Sequence, residues 1–202
     1  MFALVDKSDN SITRMLNGNR GITLGENQYP KAIFTLWTEA ERNAINIYTV
    51  TIDDSKRKDE KWYINTDITY SFDGTNATGS YGDATAKAHA DTLFTAQDET
   101  DGKGTEGEVA VEGLKTILIR NIKSQAETEL SRTDWYITRK SEKNTAIPSA
   151  ITTHRDAVRS KQDSMCTANT NASDTPALET LYTYTTDSDG VHSRPLGEIP
   201  TL

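Results

Sequence analysis

The segment EVAVEGLKTILIRNIKSQAETELSR, Glu108–Arg132, decides the fold of the second half of the chain. Its apolar residues recur at steps of three and four positions, which places their side chains on one face of an α-helix. The members of that stripe are Val111, Leu114, Leu118, Ile122, Ala126 and Leu130. The pattern predicts one long amphipathic helix over residues 108–132.

The helical pattern is interrupted directly after this segment, at Thr133-Asp134-Trp135-Tyr136. Asp134 is a residue that caps helices well, so a new helix is expected from Trp135 to about Lys143. Pro148 is expected in the first turn of the next helix, where its missing N–H is harmless. Asp174-Thr175-Pro176 marks a further helix start in the same way. Residues 108–186 are therefore predicted to form a helical module.

The first 97 residues favour β-structure instead. Ile47–Ile52 is rich in β-branched residues, and Trp62–Phe72 has its large apolar side chains at alternate positions, which would share one face of a sheet. Thr38 and Glu41 have the spacing of a capping box and predict one short helix between these strands. The predicted fold class is α+β: a small N-terminal antiparallel β-domain with a short helix, followed by the helical module.

Three weaker signals set the predicted domain limits. Ala84–Gln97 is rich in alanine and is interpreted as a helix that closes the β-domain at residue 97. Residues 98–107 combine three glycines with charged side chains and are interpreted as a linker. Residues 187–202 contain two prolines and are predicted to be an extended tail.

Composition excludes several classes of partner. The net charge of −8 repels phosphate backbones, so no nucleic-acid partner is expected. No run approaches the roughly 18 apolar residues of a membrane helix, and no leader is recognisable, so we expect synthesis in a cytoplasm and no membrane insertion. The apolar fraction of 35% is modest, which suits a chain that completes its burial against copies of itself or a partner.

Residues that carry chemistry are sparse. Cys166 is the single cysteine, which excludes an intrachain disulfide or a thiolate metal cluster. Asn17–Gly21 lacks the Lys-Ser/Thr ending of a phosphate loop and is interpreted as a β-turn. Asp187-x-Asp189-Gly190 lacks the remaining oxygen ligands of a calcium loop. We therefore predict no catalytic residue, no cofactor, no metal site and no enzymatic activity.

One cluster stands out, and it allows two interpretations. Trp135 and Arg139 are four residues apart, so the guanidinium can stack over the indole. On the next helix, Arg155 and Arg159 have the same spacing, and Asp134 could accept a bond from Arg155. In one interpretation Trp135 packs in an aromatic core that the arginines brace. In the other, Trp135 and the arginines form a docking face, since Trp and Arg are favoured in interfaces. Packing alone accounts for the whole cluster.

The same residues carry a resemblance to a known family. LSRTDWYITR over Leu130–Arg139, AIP over Ala146–Pro148, HRDAVR over His154–Arg159 and DTPAL over Asp174–Leu178 resemble a helical module of tail proteins in tailed bacteriophages. The similarity covers about residues 108–186. YPKAIF and WTEAER, at residues 29–34 and 37–42, are similar to a short β-domain that often precedes this module in marine and cyanobacterial phages.

This resemblance implies a role in the virion or in its assembly, without enzymatic activity. Its signature positions here are Trp135, Arg139, Pro148, Arg155 and Arg159, with Asp134 and Tyr136 beside them. A packing role is implied for them.

The leading expectation is a structural component of the phage tail, present in the virion: a tail-fibre, fibre-adaptor or baseplate protein. It would contact other tail proteins and form a homo-oligomer compatible with threefold or sixfold symmetry. Val111, Leu114, Leu118 and Ile122 would be buried between the copies. The alternatives are a tail-fibre assembly chaperone, then a host-surface glycan-binding module using Trp62 and Tyr81, and last a depolymerase.

Overall fold

The computed structural model describes all 202 residues, which form two compact units, Met1–Thr85 and Ala86–Leu202. The first unit is built on an antiparallel-rich sheet and the second is mainly helical, so the predicted α+β class is confirmed. The division falls between Thr85 and Ala86, upstream of the predicted linker at 98–107.

The first unit is organised by a five-stranded sheet in the order β2-β1-β5-β8-β7. These strands are β1 (Phe2–Asp6), β2 (Ser11–Leu16), β5 (Ile47–Asp53), β7 (Thr69–Phe72) and β8 (Ala77–Ser80). The remaining elements are β3 (Ile22–Leu24), β4 (Asn27–Tyr29), α1 (Ile33–Leu36), α2 (Glu39–Ala44), β6 (Tyr63–Ile64) and β9 (Thr85–Ala86). The neighbours in the sheet are antiparallel except β5 and β8, which run parallel.

Buried clusters lie on both faces of this sheet. Successive side chains of β1 point to opposite sides, so this strand contributes to both clusters. Ala3 and Val5 lie in one buried cluster with Tyr48, Val50, Phe72 and Ala77. Phe2 and Leu4 contact a second cluster, whose buried members are Ile22, Ile33, Phe34 and Ile47. The hairpin of β3 and β4 and the short helix α1 therefore cover the second face.

Two predictions for this unit had different outcomes. The Thr38 capping box is confirmed: Glu41 Oε2 accepts the Thr38 N–H at 2.7 Å, and the Glu41 N–H donates to Thr38 Oγ1 at 3.3 Å. The single strand over residues 62–72 is wrong, because Asn65 turns its amide onto the Lys58 backbone with bonds of 2.8 and 2.9 Å. Trp62 and Ile64, which the alternation places on one face, also differ in burial: Trp62 is buried whereas Ile64 is 60% exposed.

The second unit begins with extended chain where a helix over Ala84–Gln97 was predicted, and that prediction is wrong. The carbonyls of Ala88 and His89 accept N–H groups from Leu114 and Lys115 at 3.0 Å. These long-range bonds occupy carbonyls that a helix would use internally, so they outweigh the helical propensity of alanine. The elements that follow are β10 (Thr92–Leu93), α3 (Ala96–Thr100) and β11 (Val109–Val111).

Residues 98–107 are folded rather than a flexible linker, which corrects the domain prediction. α3 starts with a capping box between Thr95 and Asp98, and Lys103 lies 3.1 Å from the carboxylates of both Asp98 and Asp101. β10 and β11 pair on either side, so the segment is the closed end of a hairpin.

The long helix, α4, spans Leu114–Ser131 and starts six residues later than predicted, because Glu108–Gly113 belongs to β11 and its exit. Asp91 fixes that start: its Oδ1 accepts the Gly113 N–H at 2.6 Å and its Oδ2 accepts the Thr116 hydroxyl at 2.8 Å. Val111 thus lies on a strand and is 63% exposed.

The predicted oligomer stripe needs a second correction. α4 packs along α6 (Ser149–Asn171), and this packing buries Leu118 and Ile122 inside the chain. Ile122 shares a cluster with Met165 and Leu196. Leu114 is half-buried. The stripe is therefore occupied within one copy, and its central residues are not free to pack between copies.

The remaining elements are α5 (Asp134–Lys143), α7 (Thr175–Tyr182), β12 (Thr185–Thr186) and β13 (His192–Ser193). The Asp174 cap is confirmed, since its Oδ1 accepts the Ala177 N–H at 2.8 Å. The extended tail predicted for 187–202 is wrong: β12 pairs with β13, and Leu196 is only 3% exposed. None of the helices is long and apolar enough to cross a lipid bilayer.

Candidate interaction site on helix α5

The junction between α4 and α5 is built around one buried arginine. Arg155 of α6 uses Nη1 to donate to the Leu130 carbonyl at 2.8 Å, the Thr133 hydroxyl at 2.7 Å and Asp134 Oδ1 at 2.8 Å. Leu130 is in the last turn of α4, where carbonyls lack helical partners. A single side chain thus ties the end of α4 and the start of α5 to α6.

Asp134 has a different position from the predicted one. The N-cap of α5 is Thr133, and Asp134 is the first helical residue, without a capping bond of its own. Its carboxylate still favours the helix N-terminus electrostatically and accepts the bond from Arg155. The predicted ion pair is present, whereas the predicted cap is not.

Trp135, Tyr136 and Arg139 form a stack on the outer side of this junction. The two aromatic rings lie with centroids 3.8 Å apart, and the Arg139 guanidinium is 4.7 Å from the Trp135 ring and 5.3 Å from the Tyr136 ring. The predicted cation–π contact is therefore present. Trp135 is nevertheless 51% exposed, so the aromatic core predicted around it is wrong.

Exposure extends along α5. Ile137 is 43% exposed, and no residue of α5 is buried. We name the exposed surface of Trp135, Tyr136 and Arg139 the α5 face; Ile137 points to the other side of the helix. The α5 face combines two aromatic rings and one cation, which is a composition that protein interfaces favour.

Two signature positions lie outside this face. Arg159 pairs with Asp156 at 3.3 Å, and both side chains are exposed, so Arg159 does not brace the cluster. Pro148 is the N-cap residue of α6, one position before the first turn in which it was predicted. The proline ring fixes φ at about −65°, which suits a helix entry, and the φ of Pro148 is −55°.

A buried acidic site was missed by sequence reasoning. Glu129 is 6% exposed and contacts His154 Nε2 at 3.0 Å, Arg132 Nη1 at 3.0 Å and the Leu202 N–H at 2.9 Å. Burial alone would raise the pKa of Glu129, but the hydrogen bonds and the Arg132 charge lower it below its ordinary value. The one available signal was that Glu129 continues the face of Ile122 and Ala126.

The Glu129 site has a structural explanation. Glu129 is on α4, and its partners are the C-cap residue Arg132, His154 of α6 and Leu202, so the ionised carboxylate holds these parts together. No group of three or more His, Cys, Asp or Glu side chains is arranged to hold a metal ion.

Comparisons with known proteins leave the family open. The chain matches no protein-family model, no curated protein and no solved structure.

Proposed function

We propose that this chain is a structural component of a bacteriophage tail, acting as a tail-fibre, fibre-adaptor or baseplate protein that links tail parts. The observation that carries the proposal is the α5 face, with Trp135 51% exposed at a position of the phage-tail resemblance. In this proposal the protein works by contact with neighbours in the virion and has no catalytic residue or cofactor.

The geometry suits a docking role because the face is held rigid before any partner arrives. Arg155 of α6 binds Asp134 in the first turn of α5, and the Arg139 guanidinium covers the rings of Trp135 and Tyr136. A side chain that is already ordered loses less conformational entropy on binding. Trp and Arg are also the residue types that contribute most often to interface hot spots.

Homo-oligomerisation remains part of the proposal, with a changed location. Because Leu118 and Ile122 are buried within one chain, a contact between copies would use the α5 face and not the helical stripe. Association compatible with threefold or sixfold symmetry is expected, together with contacts to other tail proteins.

The first test is the composition of the particle. Mass spectrometry of gradient-purified virions should detect the chain at a stoichiometry of several copies per tail. A chain that is absent from virions but copurifies with fibre protein from infected cells would replace the proposal by the tail-fibre assembly chaperone.

The second test addresses the face itself. Trp135→Ala should lower the mass measured by light scattering at a given concentration, or prevent incorporation into particles. Ile64→Ala is the matched control, since Ile64 is also an exposed apolar residue, at 60%, but lies in the other unit. Equal behaviour of the two variants and the unchanged protein would contradict the docking role.

A further inference from the structure

We infer that the first unit binds a small oxyanion, a phosphate or carboxylate carried on a hydroxylated frame the size of a monosaccharide, in the cavity beside the loop Asn17–Gly21. This site is independent of the α5 face and of the function proposed above. The cavity has a volume of about 390 Å³ and lies between β2, this loop, β3 and α1. That volume is in the range of small-molecule sites.

The charges at this cavity distinguish it from the rest of the surface. Of the ten arginines in the chain, only Arg14 and Arg20 have no ion pair, hydrogen bond or aromatic ring as a partner, and both line this cavity. The other eight each have such a partner. No acidic residue lines the cavity, although the chain carries a net charge of −8.

Two unpaired guanidinium groups at one cavity favour an oxyanion. The planar fork of arginine donates two parallel bonds to a carboxylate or phosphate, and such charge-assisted bonds are stronger than neutral ones. Neither Arg14 nor Arg20 would have to break an existing ion pair to bind. The anion would therefore gain these bonds without a competing loss inside the protein.

The other lining residues indicate the frame that carries the anion. Asn17, Asn19 and Thr23 offer amide and hydroxyl groups that can donate to and accept from ligand hydroxyls. Leu16 and Phe34, which pack together in the second core cluster, form an apolar wall. Polar groups beside one apolar surface suit a sugar ring better than a bare inorganic ion.

The loop that forms the cavity is fixed in place by its glycines. Gly18 has a φ of +69°, and a Cβ there would lie 3.0 Å from the Phe2 ring and 3.2 Å from Phe34. A Cβ at Gly21 would lie 2.5 Å from the Tyr29 carbonyl oxygen. The loop is thus packed onto the second core cluster of the sheet, so its polar groups are ordered before a ligand binds.

The test is a titration of the full chain, labelled with ¹⁵N, with four probes: glucose 6-phosphate, glucuronate, glucose and inorganic phosphate. We expect saturable shifts of the Gly18 and Gly21 amides with glucose 6-phosphate or glucuronate, and the one that binds more tightly identifies the oxyanion. Glucose should bind at least about tenfold more weakly because it lacks the charge-assisted bonds.

Three variants and one control variant locate the site. Arg14→Gln and Arg20→Gln should each weaken binding about tenfold, and Arg20→Lys should weaken it because a lysine cannot donate in a fork. Lys31→Gln removes a nearby charge that does not line the cavity and should leave affinity unchanged. Both arginines are exposed, so the amide spectrum outside the cavity should show that the variants fold.

Three outcomes would overturn the inference. The first is the absence of saturable shifts at Gly18 and Gly21 with either sugar anion up to about 10 mM, well above the millimolar range of weak binding. The second is equal affinity in Arg14→Gln, Arg20→Gln and the unchanged protein. The third is inorganic phosphate binding as tightly as the sugar anions, which would refute the hydroxylated ligand.

Discussion

The Arg155 guanidinium lies 2.8 Å from the Asp134 carboxylate and connects α6 to the first turn of α5. The same nitrogen also reaches the Leu130 carbonyl and the Thr133 hydroxyl, which is buried at 1% exposure. Arg155 therefore helps to fix the orientation of α5 and, with it, the α5 face.

Arg155→Met should therefore destabilise the second unit by about 1–3 kcal/mol, because the hydrogen bonds of a buried charged donor to Leu130, Thr133 and Asp134 would be lost. Chemical denaturation followed by far-ultraviolet circular dichroism would measure the change. Arg159→Met is the control on the same helix, and its exposed ion pair predicts a change within about 0.5 kcal/mol. Similar losses in both variants would show that the buried contacts are not decisive.

Gly113→Ala tests the corrected start of α4. Inside a helix, as the sequence pattern places Gly113, alanine would stabilise by about 0.5–1 kcal/mol. In the structure a Cβ at Gly113 would lie 2.3 Å from backbone atoms of Ala90, so we expect a destabilisation of about 1–3 kcal/mol.

Gly113→Ala should also lower the melting temperature of the second unit, as seen by calorimetry. Gly107→Ala is the comparison, because a Cβ there meets no atom within 4 Å and costs only the strain of its positive φ, about 1–2 kcal/mol. If Gly113→Ala were more stable than the unchanged protein, this would support the predicted helix over residues 108–132 and contradict the start at Leu114.

Trp135→Ala should change the free energy of unfolding by less than about 1 kcal/mol, because half of this side chain is exposed in the folded chain. Met165→Ala, at a site that is 1% exposed, should cost about 2–5 kcal/mol. Urea denaturation of both variants at a concentration where the protein is monomeric gives the comparison. A loss at Trp135 as large as that at Met165 would return Trp135 to a packing role.

The lowered pKa of Asp98 predicts that the stability of the hairpin of β10 and β11 depends on pH. Bonds from the Thr95 backbone, the Thr95 hydroxyl and Lys103 lower the pKa of Asp98 from 3.8 to about 2. Because the folded pKa is depressed, the stabilisation is present above pH 3.8 and is lost as the pH falls toward 2.

The Asp98 prediction can be followed at the Thr95 amide by nuclear magnetic resonance. Its shift should change with a midpoint near 2 in the unchanged protein. Asp98→Asn should remove the transition while keeping an oxygen that accepts from Thr95. A midpoint near 4 would mean that the capping box contributes no stabilisation of the carboxylate.

Local signals in the sequence were sufficient where a structure depends on neighbouring residues. Thr38 with Glu41, and Asp174 before Pro176, specify helix starts through bonds that span three residues. The Trp135–Arg139 stack is local in the same sense, since residues four apart on a helix are neighbours.

The failures arise where distant residues decide. Val111 fits the helical period of the sequence, but in the structure it pairs with Thr92 of the neighbouring strand, so its place in the period is a coincidence. The alanines of 84–90 favour a helix, yet the carbonyls of Ala88 and His89 bond to Leu114 and Lys115 instead of within a helix. The exposure of Trp135 could not be read from its own helix, since burial depends on which neighbours pack against it.

The burial of Leu196 affects the order in which parts of the chain fold on the ribosome. Leu196 completes a cluster with Ile122 and Met165, and the Leu202 N–H reaches Glu129, 73 residues upstream. Contacts of such sequence separation form late, and domains nearer the beginning of a chain fold first during synthesis. The first unit can therefore fold while translation continues. The helices of the second unit cannot complete their hydrophobic cluster until residues 196–202 have left the exit tunnel.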